Sequence, residues 1–127
     1  MSNQAIHTSN APAAIGPYSQ AILAGNTLYV SGQIPIVPET GAFAGSDIET
    51  QTRQSLSNIQ AILTEAGFSM KDVVKTTVLL TDIGEFAAMN AEYAKFFQEP
   101  FPARAAFQVV ALPKGAKVEI ECVAVKG

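Results

Sequence analysis

Four stretches of the chain have the alternating or β-branched pattern of apolar residues that is typical of strands. Residues 73–80 and 117–125 carry aliphatic side chains on both faces, and residues 28–33 alternate apolar with polar positions. The mixed segment 1–20 predicts a short strand, followed by an ordered loop that presents Tyr18. The full set of predicted strands is this short one together with 28–33, 73–80, about 104–112 and 117–125.

Two further stretches have the spacing of amphipathic helices. Ser46 and Asp47 can cap a helix that Gly67 ends. The segment 82–85 resembles a capping box and predicts the start of a second helix. The predicted apolar stripes are Ile48, Thr52, Leu56, Ile59, Leu63 and Ala66 on the first helix, and Phe86, Met89, Tyr93 and Phe96 or Phe97 on the second.

The resulting order of elements, β-β-α-β-α-β-β, supplies two helices, which can cover only one face of a sheet. The other face is too apolar for water, because strands 73–80 and 117–125 carry aliphatic residues on both sides. We therefore expect this face to pack against copies of the same chain, in a ring of subunits rather than a monomer.

Composition excludes several classes of partner. The chain has 127 residues, of which 48% are hydrophobic and 15% charged, and this describes one domain, residues 1–127, with an ample core. Its net charge is −3 and its lysines are scattered, which argues against a nucleic-acid surface. No apolar run approaches the length of a membrane span. We expect neither a nucleic-acid partner nor a membrane partner.

The single cysteine and the single histidine limit the possible chemistry. Cys122 cannot form an internal disulfide, and its aliphatic neighbours indicate a small buried hydrophobe. His7 lies near a terminus, so no Cys-His or Ser-His-Asp arrangement can be built on any other histidine. No carboxylate spacing suggests a metal site, and we expect no metal and no cofactor. A charged and then apolar signal pattern is absent, so a cytoplasmic location is the default expectation.

Isolated charges stand among apolar residues in the last quarter of the chain. Arg104 lies at the mouth of a predicted strand, where burial cost alone is equally consistent with a carboxylate-binding arginine and an internal ion pair. Glu119, taken alone, is most simply the ion-pair partner of a lysine. The other arginine, Arg53, falls on the polar side of the first predicted helix and is most simply a solvated residue.

Gly32 interrupts the predicted strand 28–33. A glycine there indicates a bulge, or a place where the backbone closely approaches something else. It is equally consistent with an ordinary strand-end glycine before Pro35.

Several motifs follow one another along nearly the whole chain. They are NAPAAIGPYSQ at 10–20, VSGQIP at 30–35, VKTTV at 74–78, MNAEY at 89–93, PARAA at 102–106 and VEIE at 118–121. The first of these motifs alone would be weak evidence, but together, in this order and spacing, they are specific. With them the chain resembles the Rid family (the RidA/YjgF group) of enamine/imine deaminases.

The resemblance implies a chorismate-mutase-like fold of the α/β (α+β) class, a mixed six-stranded sheet with two helices on one face. It also implies a homotrimer with ligand clefts between neighbouring subunits. The short connection 113–116 would ordinarily suggest a hairpin, whereas in the family the final strand is inserted elsewhere in the sheet. The sequence therefore leaves the distance between Arg104 and Glu119 open.

The activity that the resemblance implies is hydrolysis of 2-imino and 2-enamino acids, such as 2-aminoacrylate, 2-iminopropanoate and 2-iminobutanoate, to 2-keto acids and ammonia. Such a substrate has one carboxylate and one electrophilic C=N carbon. A site for it needs a bidentate cation and a base that delivers water. By resemblance, Arg104 binds the carboxylate and Glu119 positions or activates the water.

Other positions match the family's cleft. Tyr18 matches a tyrosine that lines it, and Gly32 and Ala106 fall where backbone groups approach the ligand, with Ser31 beside them. Taken without the family, Tyr18 would be an ordinary half-buried aromatic residue. Asn90 is expected to brace the cleft rather than take part in chemistry.

The chain departs from many relatives at Ala106, where a cysteine is common, so thiol-dependent behaviour is not expected. Cys122 does not replace that cysteine, because strand alternation sends it to the face opposite Glu119. Glu121 shares the strand face of Glu119 and is interpreted as structural.

Two other classes of function remain as alternatives. One is a non-enzymatic regulatory protein that binds small molecules such as keto acids, since fold alone does not determine function. The other is an endoribonuclease or translation inhibitor, against which the acidic balance argues. The presence of Arg104 favours the enzyme.

Overall fold

Three early strands and three late strands make up the sheet, and the computed structural model describes residues 3–127. Short 3-10 turns cover Met70–Asp72, Ile83–Glu85, Ala94–Phe96 and Pro113–Gly115. The strands are β1 (Gln4–Ile6), β2 (Ala21–Ala24), β3 (Thr27–Gln33), β4 (Val73–Leu80), β5 (Ala103–Gln108) and β6 (Val118–Val125), and the helices are α1 (Ile48–Glu65) and α2 (Phe86–Tyr93).

The strand order in the sheet is β1-β2-β3-β6-β4-β5. Neighbouring strands are antiparallel except β4 and β5, which are parallel. The last strand, β6, lies between β3 and β4 rather than beside β5, so the short 113–116 connection does not form a hairpin. The mixed six-stranded sheet with two helices, predicted from the sequence, is confirmed.

Helix α1 begins and ends where the sequence predicts. The Asp47 carboxylate accepts a hydrogen bond of 2.9 Å from the Thr50 amide, which satisfies one of the free N–H groups of the first turn. After the C-cap, Gly67 adopts φ 82°, a left-handed conformation that glycine tolerates without a Cβ clash. The face between these ends packs on the sheet through the fully buried Leu56, Ile59, Ile62 and Leu63.

Side chains of β6 alternate between the two faces of the sheet. Val118, Ile120, Cys122 and Ala124 are buried under the helices, in the same cluster as the α1 stripe. Glu119, Glu121, Val123 and Val125 point to the other face, which neither α1 nor α2 covers. Apolar residues remain exposed on this open face, with Tyr29 54% and Phe107 48% exposed.

The short strand predicted within residues 1–20 is confirmed as β1, but the separate strand β2, which pairs with both β1 and β3, was missed. The predicted end of one strand was also wrong. Strand β5 ends at Gln108 rather than near residue 112. Its partner β4 ends at Leu80, and after a last bond of 2.8 Å from the Val109 amide to the Leu80 carbonyl no strand remains to pair with.

Arg53 is not simply a solvated residue. Its Nε donates to Glu92 on α2 at 3.0 Å, and Lys95 contacts the other carboxylate oxygen at 3.1 Å. The Glu92 side chain is only 6% exposed, and the hydrogen bond from Arg53 is the largest cause that lowers the pKa of this carboxyl. The pair ties α1 to α2 across 39 positions of sequence, a separation that no local pattern reveals.

None of the helices within residues 3–127 has the length and apolar character needed to cross a membrane.

Candidate active site

A cleft of about 900 Å³ opens between the loop before β2, the end of β3 and the face of β6 that bears Glu119. The loops contribute mostly apolar side chains, and the strands contribute the polar ones. Its lining includes Pro12, Ala13, Ile15 and Tyr18, then Ser31, Gly32, Ile34 and Ile36, and finally Lys114, Glu119 and Glu121.

The buried side-chain amide of Gln20 holds the loop that carries Tyr18. Gln20 is 2% exposed, and its Nε2 donates to the carbonyls of Thr8 at 3.1 Å and Pro12 at 2.8 Å. Its Oε1 accepts from the Thr8 amide at 2.7 Å. Because a buried amide is stable only when its donors and acceptor are paired, these bonds fix the loop on the sheet.

A second buried amide holds the opposite wall of the cleft. Asn58 on α1 donates from Nδ2 to the Ile36 carbonyl at 2.9 Å and to the Ile34 carbonyl at 3.3 Å. These carbonyls belong to the segment that follows β3, and a second polar side chain of α1, that of Gln51, donates to the Gly45 carbonyl farther along the same segment at 2.9 Å. Polar residues in the apolar face of α1 therefore shape the cleft.

Ser31 connects the strand to the Tyr18 loop. Its hydroxyl donates to the Ser19 carbonyl at 2.6 Å, and its amide donates to the Gln20 carbonyl at 2.9 Å. Tyr18 itself is 53% exposed, and its hydroxyl accepts from the Ile15 amide at 3.4 Å. Tyr18 is thus a half-exposed wall residue of the cleft rather than a core aromatic residue.

Glu119 lies half-buried in this cleft. No lysine or arginine in the part of the chain that the structure describes lies within ion-pair distance of its carboxylate, so the interpretation as a lysine partner is wrong. Burial is the main cause that raises the pKa of Glu119, and the nearby carboxylate of Glu121 raises it further. A carboxylate with a raised pKa accepts a proton more readily than an ordinary glutamate does, and its protonated form can return that proton.

Arg104 lies elsewhere, on the edge strand β5. Its Nη1 donates to the Asn90 side-chain oxygen at 2.7 Å, and its guanidinium carbon lies 5.4 Å from the Phe86 ring centre and 4.9 Å from that of Tyr93. Both rings belong to α2, and the Tyr93 hydroxyl is hydrogen bonded to Thr76 at 2.7 Å. Helix α2 therefore fixes the orientation of the guanidinium.

The guanidinium of Arg104 has no carboxylate partner among residues 3–127, and the residue is exposed. Of the two interpretations left open by the sequence, the internal ion pair is therefore wrong. An oriented guanidinium with donors facing solvent can bind a planar carboxylate through two hydrogen bonds.

One chain does not bring Arg104 and Glu119 together. Arg104 is in register with Thr76, whose side chain is buried beneath α2, so it lies on the helix-covered face. Glu119 is in register with Leu79 on the open face. Tyr18, Ser31, Gly32 and Glu119 share the cleft, whereas Arg104 and Ala106 lie together on β5, outside its lining.

Asn90 was predicted to brace the cleft; in one chain it instead accepts a hydrogen bond from Arg104 on β5, outside the lining of the cleft. Sequence reasoning missed Gln20, Asn58 and Phe86. The signal for Asn58 was its position between Leu56 and Ile59, two residues of the predicted apolar stripe of α1. Phe86 had been interpreted only as a core residue.

Within residues 3–127 no cluster of three His, Cys, Asp or Glu side chains could hold a metal ion.

Comparison with known proteins places these features in a family. Residues 8–126 match the family described as endoribonuclease L-PSP. The chain is 52% identical over 122 residues to the 2-iminobutanoate/2-iminopropanoate deaminase of Capra hircus, covering 96% of this chain and 89% of that protein.

Solved structures agree with this match. The chain superposes on E. coli TdcF with bound serine with a TM-score of 0.93, at 44% identity, and covers 98% and 99% of the two chains. The YjgF gene product from E. coli gives the same TM-score at 49% identity, with 98% and 99% covered.

Proposed function

Because this chain belongs to the Rid family, described as endoribonuclease L-PSP, we propose that it is a hydrolytic deaminase of reactive 2-imino and 2-enamino acids. The products are 2-keto acids and ammonia. The relative at 52% identity that carries this activity in its name supports the reaction class. The cytoplasmic location remains a prediction from sequence.

The observation that carries the proposal is the set of contacts that Arg104 makes. A guanidinium held by an amide and two aromatic rings, with no carboxylate of its own chain, is prepared to bind the carboxylate of a small molecule. Its orientation is fixed before the substrate arrives, so less conformational entropy is lost on binding.

Glu119 handles water and protons. The ionised carboxylate accepts a proton from water as the water oxygen bonds to the iminium carbon, and the C=N electron pair moves to nitrogen. The protonated carboxyl then gives that proton to the amino group. As the C–N bond breaks, ammonia leaves with the bonding pair and the carboxylate takes the hydroxyl proton, which leaves a ketone. An enamino acid first gains a proton at C3 and becomes the same iminium species.

The complete site is formed between two copies of the chain. Arg104 and Glu119 lie on opposite faces of one sheet, so one small substrate cannot touch both within a chain. The apolar open face supplies a reason for self-association, since exposed Tyr29 and Phe107 would be removed from water. A homotrimer repeats this junction three times, and each junction joins the cleft of one subunit to the β5 edge of its neighbour.

The first test of the proposed function is 2-keto acid formation from freshly generated 2-iminobutanoate and 2-iminopropanoate, measured against the spontaneous rate. Wild type should accelerate the reaction, and Arg104→Ala should lose about 100-fold or more of kcat/KM with the oligomer intact. Arg53→Lys, which alters the only other arginine but keeps a positive charge beside Glu92, should retain turnover.

Turnover by Arg104→Ala at the wild-type rate would contradict the carboxylate anchor. If a correctly assembled wild type gives no acceleration, the protein belongs to the ligand-binding class, and titration with 2-keto acids becomes the next measurement.

Ribonuclease activity is the second candidate, because the family description names it. A net charge of −3 opposes binding to a phosphate backbone. RNA cleavage that elutes with the oligomer and disappears in Glu119→Gln would establish it.

A further inference from the structure

Gly32 lies in a β-bulge directly beside Glu119. Between Val30 and Gln33 strand β3 contains one more residue than its partner β6, where Val30 pairs with Cys122 and Gln33 pairs with Ile120. Ser31 and Gly32 therefore oppose the single residue Glu121. The sequence-based prediction of a bulge at Gly32 is confirmed, and bulges of this kind change the direction in which nearby groups point.

The backbone conformation does not explain why a glycine stands here. The φ angle of Gly32 lies outside the left-handed region, so a residue with a side chain could adopt the same backbone. The reason must therefore be space rather than conformational freedom.

The space above Gly32 is filled by Glu119. A Cβ built on Gly32 would overlap the Oε2 of Glu119, and it would lie 2.9 Å from its Cδ and 3.2 Å from its Cγ. All three of the nearest atoms belong to this one side chain. By comparison, a Cβ on Gly45 or Gly84 would come no closer than 3.0 Å to any atom.

We propose that Gly32 is a positioning residue for Glu119, because its missing side chain provides the place in which the Glu119 carboxylate lies against the sheet. The inference rests on the proposed function, in which Glu119 moves the protons. It assigns to Gly32 a role through its absent side chain, in addition to the backbone approach to ligand that the family resemblance implies.

This position also explains the electrostatic state of Glu119. The carboxylate leans over the strand and loses part of its hydration, which raises its pKa. Among the described residues, the other ionisable groups that line the cleft are Glu121 on the same strand, Lys114 in the preceding turn and Tyr18 in the opposite loop. The neighbouring strand β4 presents the uncharged Leu79 beside Glu119.

An added methyl group at position 32 would displace the carboxylate and leave the sheet intact. The atoms in its way belong to the far end of a flexible side chain, which can rotate towards the open cleft. We therefore expect Gly32→Ala to fold and assemble, while Glu119 moves outward into water.

The test measures the Glu119 carboxyl directly. The protein is labelled with ¹³C at the glutamate side-chain carboxyl, and the Glu119 signal, assigned by its loss in Glu119→Gln, is titrated in wild type and Gly32→Ala. In Gly32→Ala the pKa of Glu119 should fall towards its ordinary value. The matched control is Gly84→Ala, whose Cβ would lie 3.0 Å from the Asp82 carboxylate; neither residue lines the cleft, and the pKa of Glu119 should not change in this variant.

Kinetics on the same variants supply the second readout. Gly32→Ala should lower kcat by about 10- to 100-fold, because small displacements of a catalytic group are costly, whereas KM changes little. In a Glu119→Gln background the same substitution should have no further effect on kcat, because the side chain at position 119 can then no longer transfer protons, wherever it lies.

An unchanged or higher pKa of Glu119 in Gly32→Ala would overturn the inference whatever the rates are. If wild type proves to have no deaminase activity, the proposed function fails, while the titration still tests the positioning. If Gly32→Ala does not fold, the Gly32→Ala/Glu119→Ala double variant decides, because recovery of folding supports the steric contact and continued failure contradicts it.

Discussion

The Glu119 cleft and the Arg104 edge of the sheet hold their charged groups in different ways. Glu119 lies half-buried in a cavity of about 900 Å³, and its proton affinity is set by burial and by Glu121. Arg104 is exposed on an edge strand, and an amide and two aromatic rings fix its direction. The first arrangement suits proton transfer, and the second suits recognition of an anion.

Each region is incomplete without the other. Among the described residues, the cleft contains Glu119 and room for a small molecule but no arginine in its lining, and Arg104 on the β5 edge lies outside that lining. Changes in the cleft should therefore alter the chemical step and its pH dependence, whereas changes at the edge should alter substrate affinity. The predictions that follow test this division.

The largest effect is expected for Glu119→Gln. Loss of a group that accepts and returns protons should lower kcat by about 100- to 10,000-fold, with a small change in KM. In wild type, kcat should fall as the pH drops through the raised pKa of Glu119, because the carboxylate must be ionised to accept a proton from water. Steady-state rates across pH test both statements, and a variant that raised KM alone would contradict the division.

At the Arg104 edge, Asn90→Ala should raise KM about tenfold and leave kcat nearly unchanged. The variant removes a charge-assisted hydrogen bond of 2.7 Å that orients the guanidinium but does not take part in proton transfer. The matched control is the same substitution in an Arg104→Ala background, where it should have no additional effect. An equal rise of KM in both backgrounds would show that Asn90 acts by a route other than Arg104.

A smaller effect is expected on stability. The pKa of Glu119 is raised in the folded state, so the protonated carboxyl contributes stability that is present below the ordinary glutamate pKa and is lost as the pH rises through the raised value. Glu119→Gln should therefore raise the melting temperature at neutral pH by about 1–3 °C, and this gain should vanish in acid. Thermal unfolding at two pH values measures it, and a variant less stable than wild type at neutral pH would contradict the burial.

No effect at all is expected at the cysteine. Cys122 is buried beneath the helices, and burial raises the pKa of its thiol to about 12, so almost no thiolate exists near neutral pH. Iodoacetamide should leave the native protein unlabelled and fully active, and should label it after unfolding. Rapid native labelling with loss of activity would place Cys122 in a site.

The sequence was sufficient for most of the fold because its patterns are local. Alternation along β6, the Asp47 cap and Gly67 each depend on neighbours within a few positions. The predicted end of β5 was wrong because β5 stops where its partner β4 stops. The sequence near residue 108 contains no signal for the end of β4. The pairing of Arg53 with Glu92 was missed for the same reason.

For the site, the residue types could be read from the sequence but their arrangement could not. Arg104 and Glu119 stood out as charges among apolar residues, yet their opposite faces depend on the insertion of β6 between β3 and β4. Gly32 was identified as a bulge or close approach. That the approaching group is the Glu119 side chain follows only from the register of the two strands.

The most direct test of a shared site is complementation between Arg104→Ala and Glu119→Gln chains. The two inactive proteins are mixed under denaturing conditions in equal amounts, refolded together and assayed for 2-keto acid formation. A trimer whose sites each take Arg104 from one chain and Glu119 from its neighbour should recover about a quarter of the wild-type activity, because about three quarters of the trimers are mixed and each mixed trimer has one intact junction of three. Activity no higher than that of the two separate variants would contradict a site formed between subunits.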